Sequence, residues 1–233
     1  MSEILKTKNL SKKYFAKEAL NNVNLTLSKG KVLGLLRPNG SGKTTFIKIL
    51  AGILTSSSGE VYIDGFKPGV ETKSIVSYLP DRNFLYNWMK VKDSIKFFND
   101  FYQDFNLEKA NNLLEFMKLN KDEKITSLSK GMLEKLNLTL VLSRDTKLYI
   151  LDEPIAGVDP AAREKILDAI INNYNEESSM IITTHLVTDI ERIFDRVAFI
   201  DHGEIVLNEN AEDIRVSREK SINDLFKEVF NYA

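Results

Sequence analysis

The spacing of apolar residues changes along the chain between the period of strands and that of helices. Residues 23–27 alternate apolar and polar, as in a half-buried strand, and residues 31–36 form an apolar run. From Thr44 the apolar residues recur at helical spacing, and Gly52 ends this pattern. Strands that alternate with helices in this way predict an α/β fold with a mostly parallel sheet.

The middle of the chain has a different pattern from its two ends. Residues 83–142 are helical and aromatic, with Phe97, Phe98, Phe101 and Phe105 at helical spacing, so we expect an inserted helical subdomain. Around it, the patterns predict strands at 60–64, 148–151, 180–183, 197–200 and 205–207, and helices after Asp159–Pro160 and over 186–194.

Composition narrows the classes of partner. The formal net charge is −1, whereas proteins that hold nucleic acid through its phosphates usually have a strong basic excess, so we expect no nucleic-acid partner. The chain has no cysteine, which excludes disulfides and cysteine–zinc sites. No apolar run approaches the ~18–20 residues that span a bilayer, so work at a membrane would need another chain as anchor.

A glycine-rich loop stands between the predicted strand at 31–36 and the helix that follows. Residues 37–44 read Arg-Pro-Asn-Gly-Ser-Gly-Lys-Thr, close to the phosphate-binding pattern G-x-x-x-x-G-K-[ST]. Small residues let successive backbone N–H groups wrap a phosphate, and the helix directs its positive end at the same group. Lys43 would reach the β- and γ-phosphates, and the Thr44 hydroxyl would bind Mg²⁺. The predicted ATP-binding residues of this loop are Asn39, Gly40, Ser41, Gly42, Lys43, Thr44 and Thr45.

Arg37 departs from this pattern, which begins with glycine. If the position needs a positive φ, an arginine there costs about 1–2 kcal/mol. If φ is negative, the side chain simply points to solvent. Two hypotheses stay open: Arg37 weakens nucleotide binding or turnover, or it is a tolerated substitution.

Two carboxylates follow the apolar run at residues 148–151. Ligands of open α/β sheets bind at the carboxyl ends of the strands, which is where Asp152 and Glu153 would lie. Asp152 would hold Mg²⁺ through water, and Glu153 would polarise an attacking water as general base. Acidic residues after a strand are common, so the pair gains its weight from the combination with Lys43.

Together with further segments in the same order, these motifs resemble the ABC-transporter ATPase family over nearly the whole chain. Residues 127–132 (Ser-Leu-Ser-Lys-Gly-Met) are similar to the family signature L-S-G-G-Q, and residues 151–154 match the end of its Walker B motif. Residues 156–159 (Ala-Gly-Val-Asp) resemble its D-loop, and residues 183–185 match its switch-histidine segment. Tyr14 stands where the family stacks an aromatic ring on adenine.

The resemblance implies a fold and a domain plan. The fold would be α/β, a P-loop NTPase (RecA-like) core with a mostly parallel sheet, an antiparallel β subdomain and an inserted α-helical subdomain. Residues 1–233 would form one ATPase domain. Its expected parts are the core with the β subdomain at 1–82 and 143–210, the helical subdomain at 83–142, and a helical tail at 211–233.

The resemblance also implies roles for single residues. In a head-to-tail homodimer, the ATP bound by one subunit would be contacted by four residues of the opposite subunit: Ser129, Lys130, Gly131 and Asp159. Asp159 would also tie the two subunits together. His185 would be the second catalytic residue beside Glu153. It would bond the γ-phosphate and help to hold Glu153 and the water.

Two departures from the family pattern bear on these roles. Lys130 replaces the first signature glycine, and either meets the partner-bound phosphate or lies on the surface. Asp81 stands in place of the Q-loop glutamine and would bind Mg²⁺ directly or through water. His202, in a predicted hairpin turn, is expected to have no chemical role.

These expectations define a transport ATPase. The chain would bind ATP and Mg²⁺, hydrolyse ATP and power a separate integral membrane permease from the cytoplasmic face of the membrane. Residues 79–82 (Leu-Pro-Asp-Arg) and the Leu-Ser-Lys-Gly-Met segment most resemble the bacitracin-exporter and Ytr-type branch, which suggests export. The aromatic stretch of Phe84, Tyr86, Trp88 and Met89 follows the Q-loop, and either receives the permease's coupling helices or packs in the core.

Two other readings of the sequence remain. In the first, Arg37 and Asp81 leave an ATP-binding regulatory subunit with impaired hydrolysis. In the second, the chain is an ABC ATPase of DNA repair or translation. Those proteins typically carry long coiled coils, zinc modules or tandem ATPase units, whereas this chain has one set of motifs and no cysteine.

Overall fold

The computed structural model describes residues 2–36, 42–173 and 177–230, with only the backbone of Ala161. The described strands are β1 (Glu3–Tyr14), β2 (Lys17–Ser28), β3 (Val32–Leu36), β4 (Ser58–Ile63), β5 (Val76–Leu79), β6 (Leu148–Asp152), β7 (Ser179–Thr184), β8 (Arg196–Asp201) and β9 (Glu204–Asn210). The described α-helices are α1 (Lys43–Leu50), α2 (Val70–Lys73), α3 (Val91–Phe101), α4 (Leu107–Phe116), α5 (Lys130–Leu142), α6 (Pro160–Asn173), α7 (Val187–Ile190), α8 (Ala211–Ser217) and α9 (Ile222–Val229).

The core of the molecule is a six-stranded sheet in the order β5-β6-β7-β3-β8-β9. The first five strands run parallel, and β9 pairs antiparallel with β8. Every residue of β3, β6 and β7 is buried, because apolar side chains pack on both faces of the sheet. The predicted α/β fold with a mostly parallel sheet is confirmed, and the β8–β9 hairpin turns at His202–Gly203 as expected.

A second, antiparallel sheet has the order β2-β1-β4. The apolar pattern missed β1 and found only the last part of β2. The reason is visible in the pairing of β1 with β2, which shifts register at several places. One such shift flanks Asn9, whose φ is 47°. These irregularities interrupt the period of two on which the recognition of a strand from sequence depends.

The helices α3, α4 and α5 lie between β5 and β6 in the chain, where residues 83–142 predicted helices. Phe98 faces the core, whereas Phe97 and Phe101 are exposed and Phe105 lies beyond the end of α3. The buried Arg144 joins this region to the sheet. Its guanidinium donates to the carbonyl of Val76 on β5 at 2.7 Å and pairs with Asp104 at 2.8 Å.

The helical segment expected over residues 186–194 is confirmed over 187–193, but only its first part is an α-helix. The α-helix covers only Val187–Ile190, and a single 3₁₀ turn follows over Glu191–Ile193. Phe194 then turns inward, and its ring lies over Gly34 of β3, where an added Cβ would come within 2.6 Å of it. The helical segment thus ends at Ile193, next to the residue that packs on the sheet.

The two C-terminal helices, α8 and α9, match the short helices expected after residue 211. The Phe226 ring of α9 packs edge-on against Phe199 of β8, with ring centroids 5.6 Å apart. Over the described ranges, no helix combines the length and the apolar character that crossing a bilayer requires.

Candidate active site

The carboxyl end of β6 delivers Asp152 and Glu153, and its neighbour β7 holds both in place. Asp152 pairs in register with Thr183, whose hydroxyl donates a 2.6 Å hydrogen bond to Asp152 Oδ1. The Glu153 N–H donates to the Thr183 carbonyl at 3.0 Å. Glu153 has a φ of 55°, a left-handed conformation that is unfavourable for a residue with a side chain. Such backbone strain clusters at functional sites.

Lys43, the first residue of α1, places its ammonium between these two carboxylates. Its Nζ lies 2.7 Å from Glu153 Oε1 and 3.4 Å from Asp152 Oδ1, and the side chain is only 1% exposed. A buried ammonium needs such partners, because leaving it unpaired away from water is costly.

His185 follows β7 and contacts the other oxygen of Glu153. Its Nδ1 lies 3.0 Å from Glu153 Oε2, and its backbone N–H donates to the same oxygen at 3.3 Å. The imidazole is half exposed, so it faces both Glu153 and solvent. We refer to Lys43, Asp152, Glu153 and His185 as the sheet-edge cluster, and the structure brings all four together.

The start of α1 has the backbone geometry of an anion site. Gly42 precedes the helix with a φ of 100°, and an added Cβ would lie 2.2 Å from the carbonyl oxygen of Ala19, so only glycine fits. The first N–H groups of a helix have no partner within the helix and attract negative charge. Arg37, Asn39, Gly40 and Ser41 lie outside the described residues.

Two cavities are lined by residues of this region. One, of about 420 Å³, is lined by Asp81, Lys130, Asp152, Glu153 and His185, among others. The other, of about 360 Å³, is lined by Tyr14, Lys43, Thr44, Thr45 and His202, among others. Because Lys43 lines one cavity and pairs with Glu153 in the other, its side chain connects the two.

The donor set fits a magnesium ion that arrives with phosphate ligands. Asp152 Oδ2 is buried and has no hydrogen-bond partner among the described residues. Within the described ranges, no three His, Asp or Glu side chains come together to hold a metal by themselves. Mg²⁺ characteristically binds to one or two carboxylates together with substrate phosphates, which suits this arrangement.

The signature turn, defined as Ser129, Lys130 and Gly131, lies at the start of α5. Ser129 caps the helix, since its hydroxyl accepts a hydrogen bond from the N–H of Met132 at 3.2 Å. Beside Gly131, an added Cβ would meet nothing within 4 Å. The ends of this turn are therefore open to an incoming group.

Lys130 is 75% exposed and lies 3.9 Å from Glu134, one turn further along α5. Burial raises the pKa of the Glu134 carboxyl, and the Lys130 charge acts in the opposite direction. Lys130 thus lies at the surface of this chain and lines the larger cavity, and both hypotheses for its role stay open.

Asp159 is exposed and caps α6, because its Oδ1 accepts a hydrogen bond from the N–H of Ala162 at 3.0 Å. This confirms the predicted start of the helix at Pro160. Its expected role toward a second subunit needs a second chain, so that role stays a prediction.

Two residues of this region were not identified from the sequence as contributors. Thr183 was part of a matched segment, but its hydrogen bond to Asp152 becomes apparent only from the register of β6 with β7. His202 was expected to have no chemical role, yet it lines the smaller cavity together with Tyr14. The β8–β9 turn reaches this place because Asn21 of β2 donates to the Gly203 carbonyl at 2.9 Å.

Comparisons with known proteins identify the family. Residues 20–156 match the model of the family described as ABC transporter. The chain is 30% identical over 222 residues to the ABC transporter ATP-binding protein YtrB of Bacillus subtilis, covering 94% of this chain and 75% of that protein. It is also 30% identical to the lantibiotic transport ATP-binding protein SrtF of Streptococcus pyogenes, with 91% and 95% covered.

Solved structures agree with this assignment. An ATP-binding subunit of an ABC transporter superposes with a TM-score of 0.88 at 25% identity, covering 97% of this chain and 99% of that one. A post-hydrolysis dimer of the cassette MJ0796, bound to ADP and Pi, shares the fold with a TM-score of 0.79 at 21% identity, covering 88% and 98%. The chain is therefore a member of the ABC transporter family, an ATP-binding subunit with the P-loop NTPase fold and the ATPase activity of that family.

Proposed function

We propose that two copies of this chain hydrolyse ATP with Mg²⁺ at sites formed head to tail, and that this hydrolysis powers an exporter-type membrane permease. The observation that carries the proposal is the division of the site within one chain. The sheet-edge cluster is assembled and mostly buried, whereas Ser129 and Lys130 of the signature turn are exposed.

Lys43 and His185 hold Glu153 between them, and this suggests how ATP binding prepares the reaction. A triphosphate competes with Glu153 for the Lys43 ammonium, since both are anions that seek the same buried cation. Once Lys43 turns to phosphate, Glu153 keeps its contact with His185 and has a free oxygen for the attacking water. Glu153 then acts as general base, and His185 holds Glu153 and the γ-phosphate in position.

The proposed magnesium ligands are Thr44 and Asp81, with Asp152 acting through water. When bound, Mg²⁺ neutralises the charge that develops on the transferred phosphoryl group. The unpartnered Asp152 Oδ2 supports this assignment, and so does the position of Asp81 in the wall of the same cavity as Asp152. Tyr14 is proposed to stack on the adenine base, and the loop residues Asn39, Gly40, Ser41, Gly42 and Thr45 are proposed to bind the nucleotide on its phosphate side.

A second copy completes the site in this proposal. Ser129 and Gly131 present a helix N-terminus to solvent, and such an N-terminus binds phosphate. Asp159 lies exposed at the start of α6, where a partner can reach it. We propose that Lys130 lies beside the phosphate bound at this N-terminus and does not itself bind it.

An exposed aromatic pair supports the docking of a permease. Tyr86 and Trp88 are 59% and 71% exposed, and their rings stack with centroids 6.1 Å apart. Met89 is buried and Phe84 is partly buried, so about half of the aromatic stretch packs inward. Large exposed apolar groups mark interaction sites, and we assign this pair to the permease at the cytoplasmic face of the membrane. Export is supported by the transport of lantibiotics named for SrtF.

The test of hydrolysis compares the purified chain with its Glu153→Gln variant. We expect the wild-type chain to release phosphate from ATP with Mg²⁺ far faster than the variant, and the variant to accumulate ATP-bound dimers. Equal rates would favour the regulatory reading, in which Arg37 and Asp81 leave binding without turnover.

The test of docking is co-purification of membrane proteins with a Tyr86→Ala/Trp88→Ala variant. We expect the permease recovered with the wild-type chain to be lost. Phe15→Ala is the matched control, because Phe15 is a fully exposed aromatic residue in the β1–β2 turn. Loss of the permease from both variants would contradict the assignment of the surface.

A further inference from the structure

The strand β5 carries a buried hydroxyl that has no partner. Tyr78 Oη is shielded from solvent, and the described residues offer it no hydrogen bond. A buried polar group without a partner is rare in proteins and costly to keep, so it calls for a specific reason. Its ring packs against the apolar core on the α1 side of the sheet, so the ring is well placed even though the hydroxyl is not satisfied.

The sheet register places the Tyr78 side chain on the same face of the sheet as Asp152. Tyr78 pairs with Ile150 of β6, and Asp152 lies two residues beyond Ile150 on the same face of that strand. Asp81 follows β5 by two residues and lines the larger cavity with Asp152. Burial raises the pKa of Tyr78, and the negative charges of Asp152 and then Asp81 raise it further, as expected for a hydroxyl near both carboxylates.

An acceptor without a donor lies at the same end of the sheet. Asp152 Oδ2 is also buried, and the described residues offer it no hydrogen bond. A donor and an acceptor that are both unsatisfied at one end of the sheet indicate that a group is to be bound between or beside them. We propose that the Tyr78 hydroxyl is a positioning group for the magnesium site: it fixes the Asp152 carboxylate when Mg²⁺ is bound with the nucleotide. Partners of this kind, behind the residues that hold a metal, contribute strongly to metal affinity.

This inference rests on the proposed magnesium site, and the chain offers a matched pair of variants to test it. Tyr149 is the neighbouring buried tyrosine, on β6, and its hydroxyl does have a partner because it donates to the Arg144 carbonyl. Tyr78→Phe and Tyr149→Phe thus remove the same atom, one without a partner and one with a partner.

The experiment measures the affinity of the full chain for a fluorescent ATP analogue at increasing Mg²⁺ concentrations, with EDTA as the metal-free baseline. It also records thermal unfolding of the chain without nucleotide. For Tyr78→Phe we expect an unfolding temperature equal to or above that of the wild-type chain and an unchanged affinity in EDTA. The Mg²⁺ concentration at half-effect should rise about tenfold. For Tyr149→Phe we expect a lower unfolding temperature and an unchanged Mg²⁺ requirement.

Two results would overturn the inference alone: a Tyr78→Phe titration that overlays a Mg²⁺-dependent wild-type curve, or an unfolding temperature that falls as far as that of Tyr149→Phe. A wild-type affinity that does not respond to Mg²⁺ would overturn the magnesium site itself and this inference with it.

Discussion

The sheet-edge cluster and the signature turn differ in how much of their chemistry one chain completes. In the cluster, Lys43 is buried between two carboxylates, and each group has its partner at 2.7–3.4 Å. In the signature turn, Gly131 faces open space and Lys130 is mostly exposed. The cluster is a half-site that one chain holds in place by itself, whereas our proposal assigns the open side of the signature turn to a second copy of the chain.

This difference makes a general prediction. A substitution in the sheet-edge cluster should alter the chemical step, nucleotide binding or the stability of the single chain. A substitution in the signature turn should leave the single chain intact, and any effect it has should appear in the assembly of two chains. The four substitutions below test that division, from the largest expected effect to the smallest.

Glu153→Gln should slow phosphate release by about a thousandfold, because it removes the general base while keeping the shape of the side chain. Binding of ATP should persist, since Lys43 and α1 are unchanged. Steady-state phosphate release and equilibrium ATP binding measure the two effects. Glu164→Gln, at an exposed position of α6, is the control and should be silent.

Lys43→Met should lower the free energy of unfolding of the nucleotide-free chain by about 3 kcal/mol, because it leaves Asp152 and Glu153 without their buried cation. Denaturant unfolding monitored by the fluorescence of Trp88 measures this loss. An unfolding curve identical to that of the wild-type chain would show that the buried ion pair does not stabilise the cluster.

Gly131→Asp should reduce turnover by about a hundredfold, because it places a negative charge where the partner-bound phosphate must approach. The nucleotide-free chain should unfold as the wild type does, since the new side chain enters open space. Size-exclusion chromatography with ATP, in the Glu153→Gln background, should show the dimer lost. Gly131→Ala serves as the control for size, and its dimer should persist.

Lys130→Met should have the smallest effect, within about 0.5 kcal/mol in stability, because an exposed pair such as Lys130–Glu134 contributes little. Turnover should stay close to that of the wild-type chain. A large fall in turnover, with dimers intact, would instead favour the hypothesis that Lys130 meets the phosphate of the partner.

The elements of both half-sites that depend on local sequence pattern were predicted from the sequence. The strand before Asp152, the helix after the glycine-rich loop and the cap at Asp159 all follow from neighbouring residues, and the structure confirms these elements. Their approach to one another followed from the rule that ligands gather at the carboxyl ends of parallel strands.

The remainder depended on tertiary packing that no local pattern contains. The contact of Lys43 with Glu153 joins residues 110 positions apart, and the hydrogen bond from Thr183 to Asp152 depends on strand register. The change from α-helix to a 3₁₀ turn after Ile190, and the packing of Phe194 over Gly34, are likewise absent from the local pattern. The bulged strand β1 lacks the regular alternation on which the prediction of strands depends.

The central claim, that each site joins the sheet-edge cluster of one chain to the signature turn of another, is tested most directly by mixing two inactive variants. Glu153→Gln disables the cluster and Gly131→Asp disables the turn, so a mixed head-to-tail dimer contains one site with both halves intact. In an equal mixture we predict phosphate release well above that of either variant alone, up to about a quarter of the wild-type rate, because each mixed dimer has one intact site and mixed dimers are at most about half of the total if the two variants pair as readily as the wild type. A mixture no more active than its two components would contradict the account.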